Sequence, residues 1–309
     1  MMAAPEGIRS RSLMRTLGTT AFALIAFAGN SILCRMALGR ATIDAATFST
    51  LRLVAGAGTL LLIMASTQKG SLRLRGSWMS ATMLFLYAVP FSFAYISLST
   101  GTGALVLFGS VQVTMMLAAL FAGERPYPLQ WLGLGLAMAG LIYLVLPGLE
   151  APSLSGSALM AFAGLAWGVY SLRGRGVANS LEQTTRNFVG SVPFAIAVSI
   201  LAARSFHAEL GGVLLAIASG SIASGLGYVV WYAALRGLSA TRAAVVQLSV
   251  PVLAAAGGVL FLAETVSLRL VLSATMVLGG IALALVGRER PSQRLAAQAV
   301  RPEAEAGGG

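Results

Sequence analysis

The chain has 309 residues, of which 57% are hydrophobic and only 10% are charged. Soluble domains are about a quarter charged, so this composition excludes a water-soluble globular protein and indicates a chain embedded in lipid. The formal net charge of +11 does not indicate a nucleic-acid partner, because the Lys and Arg residues lie in short segments between apolar runs and form no single cluster.

Ten apolar runs of about 20 residues, the length that crosses a bilayer as an α-helix, follow one another along the chain. The runs are continuous and rich in Leu, Ala and Gly, which excludes the alternating pattern of a β-barrel. The predicted helices are 16–38, 45–65, 78–98, 102–122, 128–147, 154–172, 187–204, 212–235, 241–262 and 268–287. The predicted fold class is therefore all-α integral membrane, with ten transmembrane helices.

The basic residues between the runs set the predicted orientation. With a cytoplasmic N-terminus, the inner segments hold 16 Lys and Arg residues, and the outer segments hold only Arg40, Arg204 and Arg269. Positive charge accumulates on the cytoplasmic side, so we expect a multi-pass protein of the cytoplasmic (inner) membrane with both termini in the cytoplasm. Residues 288–309 are charged and end in three glycines, and we expect a disordered cytoplasmic tail.

The two halves of the chain repeat one another. Residues 98–124 align without a gap on 238–264 at an offset of 140, and at the same offset Gly140 falls on Gly280. We therefore predict two five-helix repeats, 16–147 and 154–287. Because each repeat has an odd number of helices, the second starts on the opposite side of the membrane. Such inverted repeats are associated with alternating access around a site near the bilayer midplane.

Few side chains in this sequence are suited to catalysis or metal binding. Cys34 is the single cysteine and His207 the single histidine, so an intramolecular disulfide is excluded. The sequence also has too few Cys and His residues for a metal site or for Cys/His catalysis. A Gly-x-x-x-x-Gly-Lys-Ser/Thr phosphate loop is also missing from the sequence, which leaves ATP-driven transport unsupported. We expect no metal, no cofactor and no enzymatic activity.

Short motifs at equivalent positions of the two halves resemble the EamA-type branch of the drug/metabolite transporter superfamily. They are Phe27-Ala28-Gly29-Asn30-Ser31 and Ala166-Trp167-Gly168 in the first helices, and Ala122-Gly123-Glu124-Arg125 and Leu262-Ala263-Glu264-Thr265 at the ends of the fourth helices. Arg52 in the second helix is also family-like. Pro251 precedes Glu264 by 13 residues, but Val111 stands at the equivalent place in the first half, which is a departure from the family pattern.

The resemblance covers about residues 16–287 and implies a secondary transporter of small metabolites across the cytoplasmic membrane. We expect alternating access, with export favoured, and substrates such as amino acids or related compounds. The partners would be this small-molecule substrate and the lipid bilayer, and a homodimer is compatible with the sequence. The alternatives are an integral membrane enzyme and a non-transporting scaffold. An enzyme would need a nucleophile, base or metal cluster, which this sequence lacks, and a scaffold would need larger loops.

Polar side chains inside the predicted helices are the candidate site residues, because polar groups facing lipid are costly. The candidates for a cavity are Asn30, Arg52, Gln112, Ser224, Tyr228 and Gln247, with Pro251 as a hinge. Arg52 lies about 10 Å below the outer boundary. It either binds an anionic group such as a carboxylate, or its side chain snorkels outward or pairs with Asp44. The amides either bind a substrate or join helices.

The remaining polar and aromatic residues are expected to have structural roles. Arg35 is predicted to anchor its helix by snorkelling, and Glu124 and Glu264 to pair with or cap helix ends. The aromatic belts are expected to include Trp78, Tyr87, Trp131, Trp167 and Tyr170. On helix eight, a spacing of three and four places Ser221, Ser224, Tyr228 and Trp231 on one face.

The absence of deep Asp or Glu residues makes facilitated diffusion or exchange at least as plausible as proton antiport. We expect helices one to four and six to nine to line the cavity near the midplane, and helices five and ten to lie away from it.

Overall fold

The structure, a computed structural model, describes residues 6–67, 77–123, 127–148, 151–174, 179–235, 237–238 and 240–299. Within these ranges the protein is helical and has no β-strand; a single isolated bridge pairs Ile43 with Ala208. Nine of the described helices are long and apolar enough to cross a membrane, and Trp78–Ala94 is a shorter apolar helix of 17 residues. A span of 17 residues is at the lower limit for a transmembrane helix. The predicted fold class is confirmed.

The described helices follow the order of the ten predicted spans. The first seven are α1 (Glu6–Gly39), α2 (Ala45–Thr67), α3 (Trp78–Ala94), α4 (Thr100–Phe121), α5 (Pro128–Val145), α6 (Leu154–Arg173) and α7 (Ser180–Leu201). A 3₁₀ turn, Ala203–Ser205, leads to α8 (Leu210–Leu235), which contains the π-helical segment Ser219–Leu226. Helix α9 has two segments, Ala240–Gln247 and Ser249–Leu262, and α10 is Leu268–Ala299.

The helix boundaries differ from the prediction mainly at polar ends. Helix α7 begins at Ser180 and not at 187, because the side chain of Asn179 accepts a hydrogen bond from the backbone N–H of Glu182 and thereby caps it. Glu182 in turn pairs with Arg186 one turn later. Helix α10 continues to Ala299, so residues 288–299 of the predicted disordered tail are helical. Residues 300–309 lie outside the described residues.

The packing of helices repeats between the two halves of the chain. Helices α3 and α4 pack on α6, and the equivalent helices α8 and α9 pack on α1. Helix α2 contacts α7 and α8, and the equivalent helix α7 contacts α2 and α3. Helix α4 packs on its equivalent α9, and α5 packs on its equivalent α10. Each contact thus recurs when five is added to both helix numbers and the count passes from α10 back to α1. This pattern supports the interpretation of the chain as two five-helix repeats.

Small residues allow α5 and α10 to touch through their backbones. Gly133 faces the backbone of Gly280. Gly140, two turns further along α5, faces Ser273 and Val277, which precede Gly280 on α10. The two helices are therefore antiparallel, as equivalent helices of an inverted repeat must be. Small residues at such contacts let helices in lipid approach closely.

We expect Gly133→Ala to lower the stability of the protein. An added Cβ would overlap the carbonyl oxygen of Gly280 and approach the backbone nitrogen of Ala284, and backbone atoms can yield only if the helix moves. Overpacking of this kind costs about 1–3 kcal/mol, so the melting temperature in detergent should fall by several degrees. Gly135→Ala is the matched control because open space surrounds Gly135. Equal melting temperatures of the two variants would contradict this packing.

Candidate functional site

A small cavity lies between α1, α3, α4, α6, α8 and α9, the helices from which all of its described lining residues come. Its volume is about 20 Å³, which is room for about one water molecule. The lining residues are Phe27, Asn30, Ser31, Tyr87, Phe91, Leu107, Phe108, Trp167, Ala223, Tyr228 and Gln247. Helices α5 and α10 contribute no described residue to this wall. The cavity is therefore small and lies between helices of both halves of the chain.

Aromatic rings form most of the cavity wall and join the two halves. The ring of Trp167 on α6 lies 4.7 Å from that of Tyr87 on α3 and 5.2 Å from that of Tyr228 on α8, measured between centroids. Phe27 on α1 contacts Tyr228 and also Trp231, at 5.9 and 5.7 Å. Edge and tilted contacts of this type stabilise aromatic clusters. The cluster gives the cavity a largely apolar interior.

Three of the residues expected in the aromatic belts are instead in this cluster or behind it. Tyr87 and Trp167 line the cavity, and Tyr170 stacks on Trp167 with centroids 5.2 Å apart. Trp78 and Trp131 are 70% and 51% exposed, as expected of residues that face the membrane boundary. Tyr87 lies in the middle of α3, and this depth was the signal in the sequence against a place in a belt.

A polar network lies directly behind the wall and is centred on Arg52 of α2, which is 1% exposed. Its Nε donates a hydrogen bond to the Ser224 hydroxyl at 3.3 Å, and one terminal nitrogen donates to the Tyr87 hydroxyl at 3.0 Å. The guanidinium carbon also lies 4.9 Å from the ring centroid of Phe91, within the range of a cation–π contact. The other terminal nitrogen, Nη1, is buried and has no hydrogen-bond partner.

Asn30 extends this network across α1. Its amide nitrogen donates to the Tyr87 hydroxyl at 3.3 Å, and its amide oxygen accepts a hydrogen bond from Ser219 at 2.7 Å. The network therefore connects α1, α2, α3 and α8. Asn30 satisfies both explanations considered for the amides, since it joins helices and also lines the cavity.

The structure removes two of the three roles expected for Arg52. Its burial excludes snorkelling. Asp44 does not pair with it, because the Asp44 carboxylate caps α2 by accepting from the backbone N–H groups of Thr47 at 2.9 Å and His207 at 3.3 Å. Across the described ranges, Arg52 is the single charged side chain in the buried set. Its charge therefore lies in the protein interior without a carboxylate partner among the described residues.

The π-helical segment of α8 brings two serines to the same network. In an α-helix, residues five apart point about 140° away from each other, whereas a π turn places residues i and i+5 above one another. Ser219 and Ser224 are five apart, and each contacts the network, through Asn30 and Arg52 respectively. The α-helical spacing predicted Ser221 on this face, and Ser219 takes that place.

Pro251 explains both the break in α9 and the position of Gln247. A proline has no N–H for the carbonyl four residues earlier and its ring clashes with that carbonyl, which here belongs to Gln247. The first segment of α9 ends at this residue and the second starts at Ser249. Gln247 lines the cavity at the break. In the first half, Val111 replaces the proline and α4 is continuous from Thr100 to Phe121.

The sequence-predicted site residues fall into three groups. Asn30, Tyr228 and Gln247 lie in the cavity wall, and Arg52 and Ser224 lie directly behind it.

Gln112 is buried but is not part of the wall. It lies one turn beyond Phe108 on α4, in a stretch against which Gly164 and Gly168 of α6 pack closely.

An ion pair closes the ends of α1 and α9 on the side that the sequence predicts to be outside. Arg35 contacts Glu264 at 3.2 Å and donates to the carbonyls of Tyr95 and Ile96 at 3.0 and 2.9 Å. Glu264 also accepts from the backbone N–H of Thr100 at 2.8 Å. Arg35 is therefore not a snorkelling anchor, whereas the pairing expected for Glu264 is present. Glu124, its equivalent in the first half, lies outside the described residues.

Comparison with known proteins agrees with this architecture. The model of the EamA-like transporter family matches residues 154–286. A Pseudomonas aeruginosa protein of uncharacterised function is 50% identical over 278 residues, which cover 89% of this chain and 96% of the relative. Two Archaeoglobus fulgidus proteins named as uncharacterised transporters are each 27% identical, and the alignments cover 64% and 63% of this chain and 73% and 71% of theirs.

A solved crystal structure shares the fold, with a TM-score of 0.61 and 19% sequence identity over 87% of this chain and 99% of the other. The family match and the relatives named as transporters show a multi-pass membrane transporter of the drug/metabolite type. The chain belongs to the EamA-like transporter family.

We expect Arg52→Met to leave the fold as stable as the original protein, or to stabilise it. Replacing a buried charge by an apolar side chain of similar length removes its desolvation cost, and such changes are often neutral or stabilising. The measurement is the melting temperature in detergent without added substrate. A fall larger than that of Gly133→Ala would show that Arg52 is primarily a structural residue.

Proposed function

We propose that this protein is a secondary transporter that exports small metabolites, such as amino acids or related compounds, across the cytoplasmic membrane by alternating access. The observation that carries the proposal is a small cavity beside a polar network, lined by helices from both halves of the chain. Inverted-repeat transporters bind substrate between their halves and expose the site to each side of the membrane in turn.

The two ends of the cavity are closed by different kinds of contact. On the side proposed to be outside, the Arg35–Glu264 ion pair holds α1 and α9 together and ties both to the connection between α3 and α4. On the opposite side, aromatic rings of α1, α6 and α8 pack over the site, including the Phe27–Trp231 and Trp167–Tyr170 contacts. Opening of one end and closing of the other would complete a transport cycle.

The break at Gln247 is the proposed hinge of this movement. Pro251 prevents the helical hydrogen bond that would make α9 rigid at this point. The segment Ser249–Leu262 leads directly towards Glu264 of the closing ion pair. A rotation of this segment about Leu248 would therefore separate Glu264 from Arg35 while Ala240–Gln247 stays in place.

Homodimer formation remains a prediction from the sequence.

The orientation can be tested with reporter fusions. The excess of basic residues on one side predicts cytoplasmic termini, so fusions after residue 309 and in the loop near Pro152 should report opposite sides of the membrane. Reports from the same side would contradict the topology on which export is proposed.

The transport activity can be measured in proteoliposomes loaded with the small-molecule fraction of a cell extract. Mass spectrometry of the external solution identifies compounds that leave faster than from protein-free vesicles. We expect a limited set of small polar or amphipathic metabolites. If no compound leaves in a protein-dependent way, the proposed function is wrong.

The closing ion pair is tested by cysteine labelling. In a Cys34→Ser background, Ala223→Cys places a thiol in the cavity wall. We expect Glu264→Ala to increase its labelling by a membrane-impermeant thiol reagent added outside, because the ion pair no longer holds α1 to α9. The charge-reversed pair Arg35→Glu with Glu264→Arg should slow labelling only in part, because the exchanged side chains cannot make the hydrogen bonds to the backbone at Tyr95, Ile96 and Thr100. Arg269→Ala is the control, since Arg269 is on α10 and contacts the Leu146 carbonyl and the Tyr143 ring. Equal labelling in all variants would contradict a role in closure.

A further inference from the structure

The hydroxyl of Tyr87 has a proton that no described residue accepts. Its oxygen accepts hydrogen bonds from Arg52 at 3.0 Å and from Asn30 at 3.3 Å. A phenol oxygen with two donors directed at it has its acceptor capacity filled, and its own O–H must donate elsewhere. Tyr87 lines the cavity, so the cavity is where an acceptor for this proton can lie.

The electrostatics of the same position favour an acceptor with negative charge. Arg52 is buried, carries a full positive charge and takes part in neither of the two ion pairs seen within the described ranges. Its Nη1 is a buried donor without a partner. An uncompensated charge and an unpaired donor in a low-dielectric interior are both costly. An anionic group in the cavity would compensate the charge and accept from Tyr87.

The remainder of the wall determines what the anionic group is attached to. Apart from Asn30, Ser31 and Gln247, the cavity is lined by aromatic and aliphatic side chains. The present volume of about 20 Å³ must widen before a substrate can enter, and the widened wall would suit an apolar or aromatic body. The Asp and Glu residues of the chain do not contribute to the described wall, so no carboxylate is present there to bind an ammonium group. Among amino acids and related compounds, this site favours those of net negative charge, such as 2-oxo acids and N-acyl amino acids.

We infer that the substrate is a small organic carboxylate of net negative charge, bound through the Tyr87 hydroxyl and the Arg52 charge, and that the membrane potential drives its export without a coupling ion. A potential that is negative inside pushes an anion outward, by a factor of about 50 in concentration ratio for each charge and each 100 mV. This explains how export can proceed although the spans lack the deep carboxylate typical of proton coupling. The inference rests on the proposed transport function and specifies its substrate and its driving force.

The test extends the proteoliposome measurement by setting the potential with potassium gradients and valinomycin. We expect the compounds that leave in a protein-dependent way to be carboxylates of net negative charge. Their efflux should be accelerated when the vesicle interior is negative and slowed when it is positive. Primary amides of the same acids, added to the loaded mixture, should show no protein-dependent efflux.

The variants separate binding by Arg52 from effects on folding. Arg52→Gln removes the charge and should abolish potential-driven efflux, and Arg52→Lys, which restores the charge, should recover part of it. Tyr87→Phe removes the O–H donor, and with it the acceptor for Arg52 and Asn30. It should lower efflux by at least about 10- to 100-fold, the effect of losing a hydrogen bond to a charged group. Arg269→Gln is the matched control and should transport normally. Melting temperatures show whether each variant is folded.

Two outcomes distinguish the inference from the proposed function. If compounds leave but are neutral or cationic, or their efflux ignores the potential or survives in Arg52→Gln, the inference about the substrate is overturned while transport stands. If no compound leaves from vesicles containing the original protein, both fail.

Discussion

The charge of Arg52 must be held where water does not reach, and the central part of the protein is arranged around this requirement. The guanidinium donates hydrogen bonds to the hydroxyls of Ser224 and Tyr87 and lies against the ring of Phe91. The π-helical segment of α8 lies against α2, where Gly220 is so close to the Arg52 carbonyl that a side chain would not fit. Because water is excluded, the attraction between this charge and an entering anion is much stronger than it would be in solution. The same arrangement leaves the Nη1 nitrogen of Arg52 without a hydrogen-bond partner among the described residues.

The two repeats supply a symmetric framework whose side chains make the site asymmetric. Leu107 and Gln247 are equivalent at the offset of 140 and both line the cavity, yet only one is polar. Val111 and Pro251 are equivalent as well, and only the second interrupts its helix. The contacts between α5 and α10, by contrast, use small residues from both halves. The close contact of α5 with α10 would keep these two helices fixed, and the break in α9 would allow that helix to move. Movement would then be confined to the helices that surround the substrate.

The contact that closes the outer end suits a structure that must open repeatedly. Arg35 and Glu264 are both partly exposed to water, and ion pairs of this kind contribute little net free energy. Their additional hydrogen bonds to the backbone at Tyr95, Ile96 and Thr100 make the closed state well defined. Such a contact can specify one conformation without making it too stable to leave. The aromatic packing on the opposite side depends on shape and on burial of apolar surface, so the two ends respond to different changes during transport.

The sequence by itself determined the membrane class, the ten helices, the family and most of the polar residues near the cavity, because apolar length and the cost of polar groups in lipid are local properties of the chain. It also located the break near Pro251, since the chemistry of proline is local. Only the tertiary structure excluded snorkelling and pairing with Asp44 as roles of Arg52, because that depended on where Asp44 and Tyr87 lie. Likewise, Ser219 enters the site through a π turn, Gln112 lies outside the cavity wall, and Arg35 meets a residue 229 positions away. Each of these outcomes depends on contacts between helices distant in sequence, which periodicity and composition do not encode.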